Sequence, residues 1–149
     1  MQRSFPETFD QLKIASPLKR LGAMVYDFML IVALWMLIGA IAVAFNDGEA
    51  VEGALFNTVL FLATFSFFAF FWTRNGQTLG MMAWRLRVQT LEGGPISLTQ
   101  ALIRFLVAAV SFGCAGLGYL WMFISQDKMT WHDQLSKTHM VELPKPAKK

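Results

Sequence analysis

Three long apolar stretches dominate this chain and limit the folds that are open to it. They cover residues 21–45, 54–72 and 105–124, and the last two contain no charged residue. A helix needs roughly 20 mostly apolar residues to cross about 30 Å of hydrocarbon. The first stretch contains one carboxylate, Asp27, and an acid inside such a span is expected to mark a functional site. The sequence therefore predicts membrane helices, one of which carries a candidate site.

The composition argues against a water-soluble fold. Of the 149 residues, 55% are hydrophobic and only 15% are charged, whereas soluble domains contain about a quarter charged residues. A chain this short cannot bury three helices that are apolar on all sides. The net charge of +3 fits loops near anionic lipid headgroups. No basic stretch alternates with exposed aromatic residues, so we expect a lipid bilayer and no nucleic acid as partner.

The third apolar stretch has two possible paths. It contains three glycines within six residues, from Gly113 to Gly118, and each costs roughly 1 kcal/mol relative to Ala in a helix. Two half-helices, over about residues 102–112 and 117–124, would enter the membrane and return. The alternative is one straight span whose glycines allow close helix contact.

The positions of Lys and Arg predict the orientation. Four of them precede the first apolar stretch, and none lies between the first two stretches. Three lie in the next loop, and Arg104 stands at its end. Because Lys and Arg gather on the cytoplasmic side, we expect a cytoplasmic N-terminus in a plasma or inner membrane. A straight third span would put the C-terminus outside, but the five lysines that follow this stretch favour the inside. A returning third segment removes this conflict.

The polar segments predict a small β-structure and the domain limits. Residues 84–90 alternate apolar and basic side chains, which is the period of a strand, and residues 138–143 are also typical of a strand. The two segments can pair only if they lie on the same side of the membrane. We therefore expect an all-α integral membrane protein: two transmembrane helices, a third glycine-interrupted segment and a cytoplasmic β-like pairing. Residues 1–16 are a polar arm, residues 17–143 the membrane domain, and residues 144–149 a disordered basic tail.

Arg20 and Asp27 are the first pair of candidate site residues. They lie seven residues apart, so a helix places them on one face, separated by about 10 Å along its axis. At its depth Asp27 needs a partner, and the candidates are Arg104, Arg20 or a second protomer. Two roles for Asp27 are open. It either pairs with an arginine and holds the fold together, or it binds an ion or a proton.

The His132-Asp133 pair follows the third stretch. Adjacent residues rarely bind one metal ion together, and the sequence has no His and Cys spacing typical of a metal site. We expect Asp133 to accept hydrogen bonds from a helix end or to pair with Arg20, and His132 to be interfacial. The chain has no nucleophile motif, phosphate-binding loop or dinucleotide fingerprint. We therefore expect no metal, no cofactor and no enzyme activity.

Several short segments resemble the RDD family, which is named for one arginine and two aspartates. They are the segment from Arg20 to Asp27, the element Gly76-Gln77-Thr78-Leu79-Gly80, the Leu86-Arg87-Val88 segment, and His132-Asp133. The resemblance implies that Asp133 is the second aspartate. The chain departs from the family where Met81 and Met82 replace a common basic residue, and where Arg85 replaces a common glycine.

The resemblance implies a multi-pass membrane domain without a settled molecular function. Transport has been suggested for the family, some members are linked to sodium/proton exchange, and others are accessory subunits of membrane complexes. One hypothesis is transport of an ion or small ligand by a homo-oligomer, with Asp27 binding it and Arg20 and Asp133 forming a cytoplasmic gate. The other is a non-transporting scaffold in which Arg20, Asp27 and Asp133 form one ion-pair network. A weaker third is lipid binding at the basic second loop.

Overall fold

The computed structural model describes residue 5 and residues 12–144 of the chain. In this part of the chain the elements are β1 (Lys13–Ile14), α1 (Pro17–Phe45), α2 (Ala54–Arg74), α3 (Leu79–Ala83), β2 (Leu86–Thr90), α4 (Leu98–Gly113), α5 (Leu117–Ile124), α6 (Trp131–Leu135) and β3 (Thr138–Glu142). Most of the predicted polar arm, and all of the predicted basic tail except Pro144, lie outside the described residues.

Helices α1 and α2 contain the first two predicted spans. They are 29 and 21 residues long, and both are long and apolar enough to cross a membrane. Only 6% of the most apolar window of each helix is buried, so their outer faces need an apolar environment. Helix α1 begins one turn before the apolar stretch, because Ser16 accepts a hydrogen bond from the Lys19 amide and Pro17 occupies the first helical position.

The third apolar stretch is a bent pair of helices. The axes of α4 and α5 differ by 97°, so the alternative of one straight span is wrong. Ala115 and Gly116 have φ angles of 54° and 77°, and left-handed backbone at these two residues ends the helical path. Helix α4 begins with a capping box between Ser97 and Gln100.

The strands form one antiparallel sheet in the order β1-β3-β2. Val88 lies opposite Met140 and Ile14 lies opposite Val141. The predicted pairing of the two strand-like segments is therefore confirmed. Strand β1 was not predicted, because two residues are too few to show a strand period.

The sheet gathers the ends of the helices at one end of the molecule. Strand β1 precedes α1, β2 lies between α2 and α4, and β3 follows α5. The bent pair α4–α5 therefore leaves this end and comes back to it. The compact core lies here too and includes Leu86, Val88, Trp72 and Met81. At Met81, where the family commonly has a basic residue, this chain places an apolar side chain in the core.

Candidate functional site

Two arginines and one aspartate form a buried cluster that joins three helices. Arg20 Nη1 of α1 donates to Asp133 Oδ2 at 2.7 Å, and Arg104 Nη1 of α4 donates to Asp133 Oδ1 at 2.6 Å. Their exposed fractions are 3% for Arg20, 1% for Arg104 and 0% for Asp133. We call these three residues the arginine–aspartate cluster. Its geometry includes the Arg20–Asp133 pairing that the sequence predicted.

The cluster is also bonded to the sheet and to the chain before α1. Arg20 Nε donates to the Ala15 carbonyl oxygen at 3.2 Å, and Arg20 Nη2 donates to the Met140 carbonyl oxygen at 3.3 Å. Arg104 Nη1 also donates to Thr138 Oγ1 at 2.6 Å. The guanidinium groups therefore fix α1 and α4 against strand β3.

Local structure around α6 places the Asp133 side chain. Asp133 and Thr130 form a capping box, with the Asp133 amide 3.4 Å from Thr130 Oγ1 and the Thr130 amide 3.3 Å from Asp133 Oδ2. Burial alone would raise the pKa of Asp133. The charges of Arg104 and Arg20 outweigh burial and hold that pKa well below its usual value of 3.8. Asp133 is therefore an anion inside the fold.

His132 lies next to the cluster as a neutral imidazole. Its ring centroid is 4.9 Å from that of Tyr119, and its Nδ1 has no hydrogen-bond partner among the residues that the structure describes. Burial, with a contribution from the positive charge of Arg104, lowers the pKa of His132 to about 3. Within residues 12–144, no group of three or more His, Cys, Asp or Glu side chains is placed to hold a metal ion.

Asp27 is apart from the arginine–aspartate cluster. Its carboxylate accepts hydrogen bonds from Thr78 Oγ1 and from the Gly80 amide, the latter at 2.9 Å. Thr78 also caps α3, because its hydroxyl accepts from the Met81 amide at 3.2 Å. The N-terminus of α3 therefore supplies hydrogen-bond donors to Asp27, which is only 4% exposed.

This arrangement corrects two expectations. The predicted arginine partner of Asp27 is wrong, since none of the described basic side chains forms a salt bridge with it. The single network of Arg20, Asp27 and Asp133 is wrong for the same reason. Helix α1 instead takes part in two separate polar sites, because Arg20 pairs with Asp133 of α6 whereas Asp27 accepts hydrogen bonds from Thr78 and Gly80 at α3.

The glycines of the Gly-Gln-Thr-Leu-Gly element allow close backbone approach. A Cβ on Gly80 would lie 2.4 Å from the Ala23 carbonyl oxygen and 2.9 Å from Asp27 Oδ1. Gly76 has a φ of 68°, and a Cβ there would lie 2.4 Å from the Val88 carbonyl oxygen. Gln77 Nε2 donates to the Leu86 carbonyl oxygen at 2.6 Å. These residues position α3 against α1 and β2.

Both polar sites border one cavity of about 640 Å³. Of the residues proposed from the sequence, Arg20, Asp27, Arg104 and His132 line it. Sequence reasoning missed Tyr119 and Trp72, which line the same cavity. They lie on helices that are far apart in the chain, and no local spacing could have assigned them to a shared site.

Comparison with known protein families identifies a match over most of the chain. A sequence model of the RDD family matches residues 14–137, which include Arg20, Asp27, Arg104 and Asp133. Searches of curated proteins and of solved structures gave no significant match. The family match covers most of the chain and confirms the resemblance first seen in its short segments. The chain belongs to the RDD family.

Proposed function

We propose that α1 and α2 cross the cell membrane, with the N-terminus and the three-stranded sheet on the cytoplasmic side. The bent pair α4–α5 enters the bilayer from that side and returns. Support comes from the exposed apolar faces of α1 and α2. It also comes from the position of the described strands, which form one sheet at one end of the molecule. The bias of Lys and Arg toward the sheet side supports the orientation.

Within this placement the chain acts as a non-transporting, non-enzymatic scaffold or accessory subunit. The observation that carries this proposal is that the fold itself satisfies both family aspartates. Asp27 accepts from Thr78 and Gly80, and Asp133 accepts from two arginines. A cation site needs oxygen atoms that offer lone pairs, whereas Thr78 and Gly80 use Asp27 as the acceptor of their hydrogen bonds.

The partner of such a scaffold would bind along the outer faces of the spans. Large apolar side chains on α1 and α2 are exposed, among them Met36 and Leu55. Where the two helices approach each other, Trp35 Nε1 donates to Thr64 Oγ1 at 2.8 Å. The remaining outer surface is available to lipid and to another membrane protein, either a second copy of this chain or a subunit of a larger complex.

Transport of a small ligand is the second candidate, and the cavity of about 640 Å³ favours it. Asp27 lines this cavity and would have to exchange a hydrogen bond from α3 for the ligand. The two functions differ in what they require of the Asp27 charge. Transport needs the charge during each cycle, whereas the scaffold needs it to hold α3.

The substitution Asp27→Asn separates the two functions. If the chain is a scaffold, the variant loses charge-assisted hydrogen bonds, and its free energy of unfolding falls by about 1.5–3 kcal/mol. Liposomes that contain the wild-type protein or the variant then show no ion flux. For transport, wild-type liposomes show ion flux that the variant loses, so the flux of the wild-type protein decides between the two functions. Asp47→Asn in the exposed first loop is the matched control and leaves both readouts unchanged.

The membrane placement has its own test. Single cysteines at Glu49 and at Pro144, introduced into a Cys114→Ser chain, should be labelled by an impermeant thiol reagent from opposite sides of the membrane. Labelling of both from one side contradicts this placement, in which α1 and α2 cross the membrane and α4–α5 returns to the side it entered from.

A further inference from the structure

Arg104 has a buried donor edge that the described residues do not use. Its hydrogen bonds to Asp133 and Thr138 both come from Nη1. Its Nε is buried without a partner, and its Nη2 donates to none of the described residues. The Nε–Nη2 edge of a guanidinium presents two parallel N–H groups that match the oxygens of a carboxylate or a phosphate. The geometry of Arg104 therefore favours the binding of an acidic group of a ligand.

Other polar atoms of the cavity lining are also unpartnered. Trp72 Nε1 and His132 Nδ1 are buried without a hydrogen-bond partner in the part of the chain that the structure describes. The Tyr119 hydroxyl forms no hydrogen bond with a described residue, and Tyr119 is partly buried. All three residues line the same cavity as Arg104. Buried polar groups in proteins normally have partners, so this concentration at one cavity indicates a binding site.

The charges near Arg104 favour an anion. Arg20 and Arg104 share one counter-charge, Asp133, which leaves one positive charge in excess. Asp27 is the acidic group at the far side of the cavity, and α1 separates it from Arg20 by about 10 Å along the axis. Coulomb energy falls with distance, so an anion on Arg104 is attracted more strongly by the cluster than it is repelled by Asp27.

The remainder of the cavity suits an apolar chain. Its walls include Ile31, Phe68 and Phe105, and its volume of about 640 Å³ lies in the range of roughly 300–1,000 Å³ that is usual for small-molecule sites. Two further lining residues, Phe28 and Phe112, are 66% and 65% exposed. The cavity therefore reaches the outer apolar surface, which the proposed membrane placement puts against acyl chains.

We infer that this cavity binds an acidic amphiphile from the bilayer, with its carboxylate or phosphate on the Nε–Nη2 edge of Arg104 and its apolar chain between α1, α2 and α4. The inference rests on the proposed membrane placement. A free fatty acid and an anionic phospholipid share this chemistry.

Native mass spectrometry of the full chain in detergent tests the inference. The probes share one alkyl length: palmitic acid, hexadecyl phosphate, hexadecylamine and hexadecanol. We expect the two acids to bind at least about tenfold more tightly than the amine and the alcohol, because one charge-assisted interaction exceeds the free energy of a tenfold change. Equal binding of the amine overturns the inference, and so does the absence of acid binding.

A cavity-filling variant shows where the acids bind. Ala108 lines the cavity, and Val110 is exposed and does not. Ala108→Phe should weaken acid binding at least about tenfold, whereas the matched control Val110→Phe should leave it unchanged. If Ala108→Phe binds the acids as well as wild type does, they bind elsewhere and the inference is wrong.

Two further variants address the donors without filling the cavity. Arg104→Lys keeps the positive charge but removes the two-donor edge, and Tyr119→Phe removes one hydroxyl. Both should weaken acid binding, and Arg104→Lys should leave binding of the alcohol unaffected. If Arg104→Lys does not fold, Tyr119→Phe and Ala108→Phe decide the outcome.

The mass of the amphiphile that co-purifies with the chain distinguishes the two sources. A fatty-acid mass and a phospholipid mass each support the inference and identify the native ligand. Alkaline extraction of membranes separates this inference from the proposed placement. A chain that resists extraction but binds no acid refutes the inference alone, whereas an extracted chain refutes the placement.

Discussion

Replacement of Asp133 by Asn is the sharpest test of the arginine–aspartate cluster. The two side chains are nearly equal in size, so the change removes a charge without opening a cavity. Arg20 and Arg104, which donate to Asp133 at 2.7 and 2.6 Å, would then share a buried region without a counter-charge.

The burial of the cluster sets the size of the effect. Removal of one partner from a buried ion pair typically costs 3–5 kcal/mol, because the remaining charge is left uncompensated. Asp133 is 0% exposed and contacts two arginines, so we expect at least about 4 kcal/mol. Proteins have only about 5–15 kcal/mol of stability in total, and the variant should therefore unfold under mild conditions.

The pair between Lys19 and Glu142 provides the matched control. Its side chains are 29% and 23% exposed, and solvent-exposed pairs contribute about 1 kcal/mol or less. Glu142→Gln should therefore lower the free energy of unfolding far less than Asp133→Asn does. Both variants also remove one carboxylate from an ion pair, so they differ chiefly in burial.

Unfolding in mixed micelles at pH 7, followed by near-UV circular dichroism, measures both changes. A triple variant with Arg20→Met, Arg104→Met and Asp133→Leu should recover much of the lost stability, because apolar groups of similar volume often replace buried ion pairs without loss. The reasoning is refuted if Asp133→Asn destabilises the protein no more than Glu142→Gln.

Two further perturbations test the neighbouring structure. Gly80→Ala places a methyl group 2.4 Å from the Ala23 carbonyl oxygen and should lower the free energy of unfolding by about 1–3 kcal/mol; Gly113→Ala, with nothing within 4 Å, should change it by less than about 1 kcal/mol. The pKa of His132 is about 3 in the fold against an ordinary value of 6.5, so the unfolded chain binds more protons between these values and stability falls as pH drops from 6.5 toward 3. His132→Gln should reduce this slope by up to roughly 1 kcal/mol per pH unit in pH-dependent denaturation, and an unchanged slope contradicts a neutral buried imidazole.

Local signals in the sequence were enough for several elements. The lengths of the apolar stretches predicted the long helices α1 and α2. Alternation over residues 84–90 predicted β2. In each case the controlling interaction lies within a few residues of the chain, as in a helix cap or a strand period, so the pattern is readable without a fold.

The partner of Asp27 could not be found in this way. The sequence suggested an arginine because opposite charges attract at any separation along the chain. The structure instead provides the Thr78 hydroxyl and the Gly80 amide, because α3 packs with its N-terminal end against α1. These donors reach Asp27 only after α3 has formed and packed. They carry no charge, so no sequence pattern identifies them as partners of Asp27.

The sequence by itself determined that this chain has membrane-length apolar helices and that it belongs to the RDD family, because hydropathy and short motifs are properties of consecutive residues. Only the tertiary structure decided that α4–α5 bends by 97°, that the family aspartates occupy two separate sites, and that one cavity borders both. The reason is physical: a buried charge is stabilised by whichever donors the packed backbone brings to it, and for Asp133 those donors lie 29 and 113 residues away in the chain.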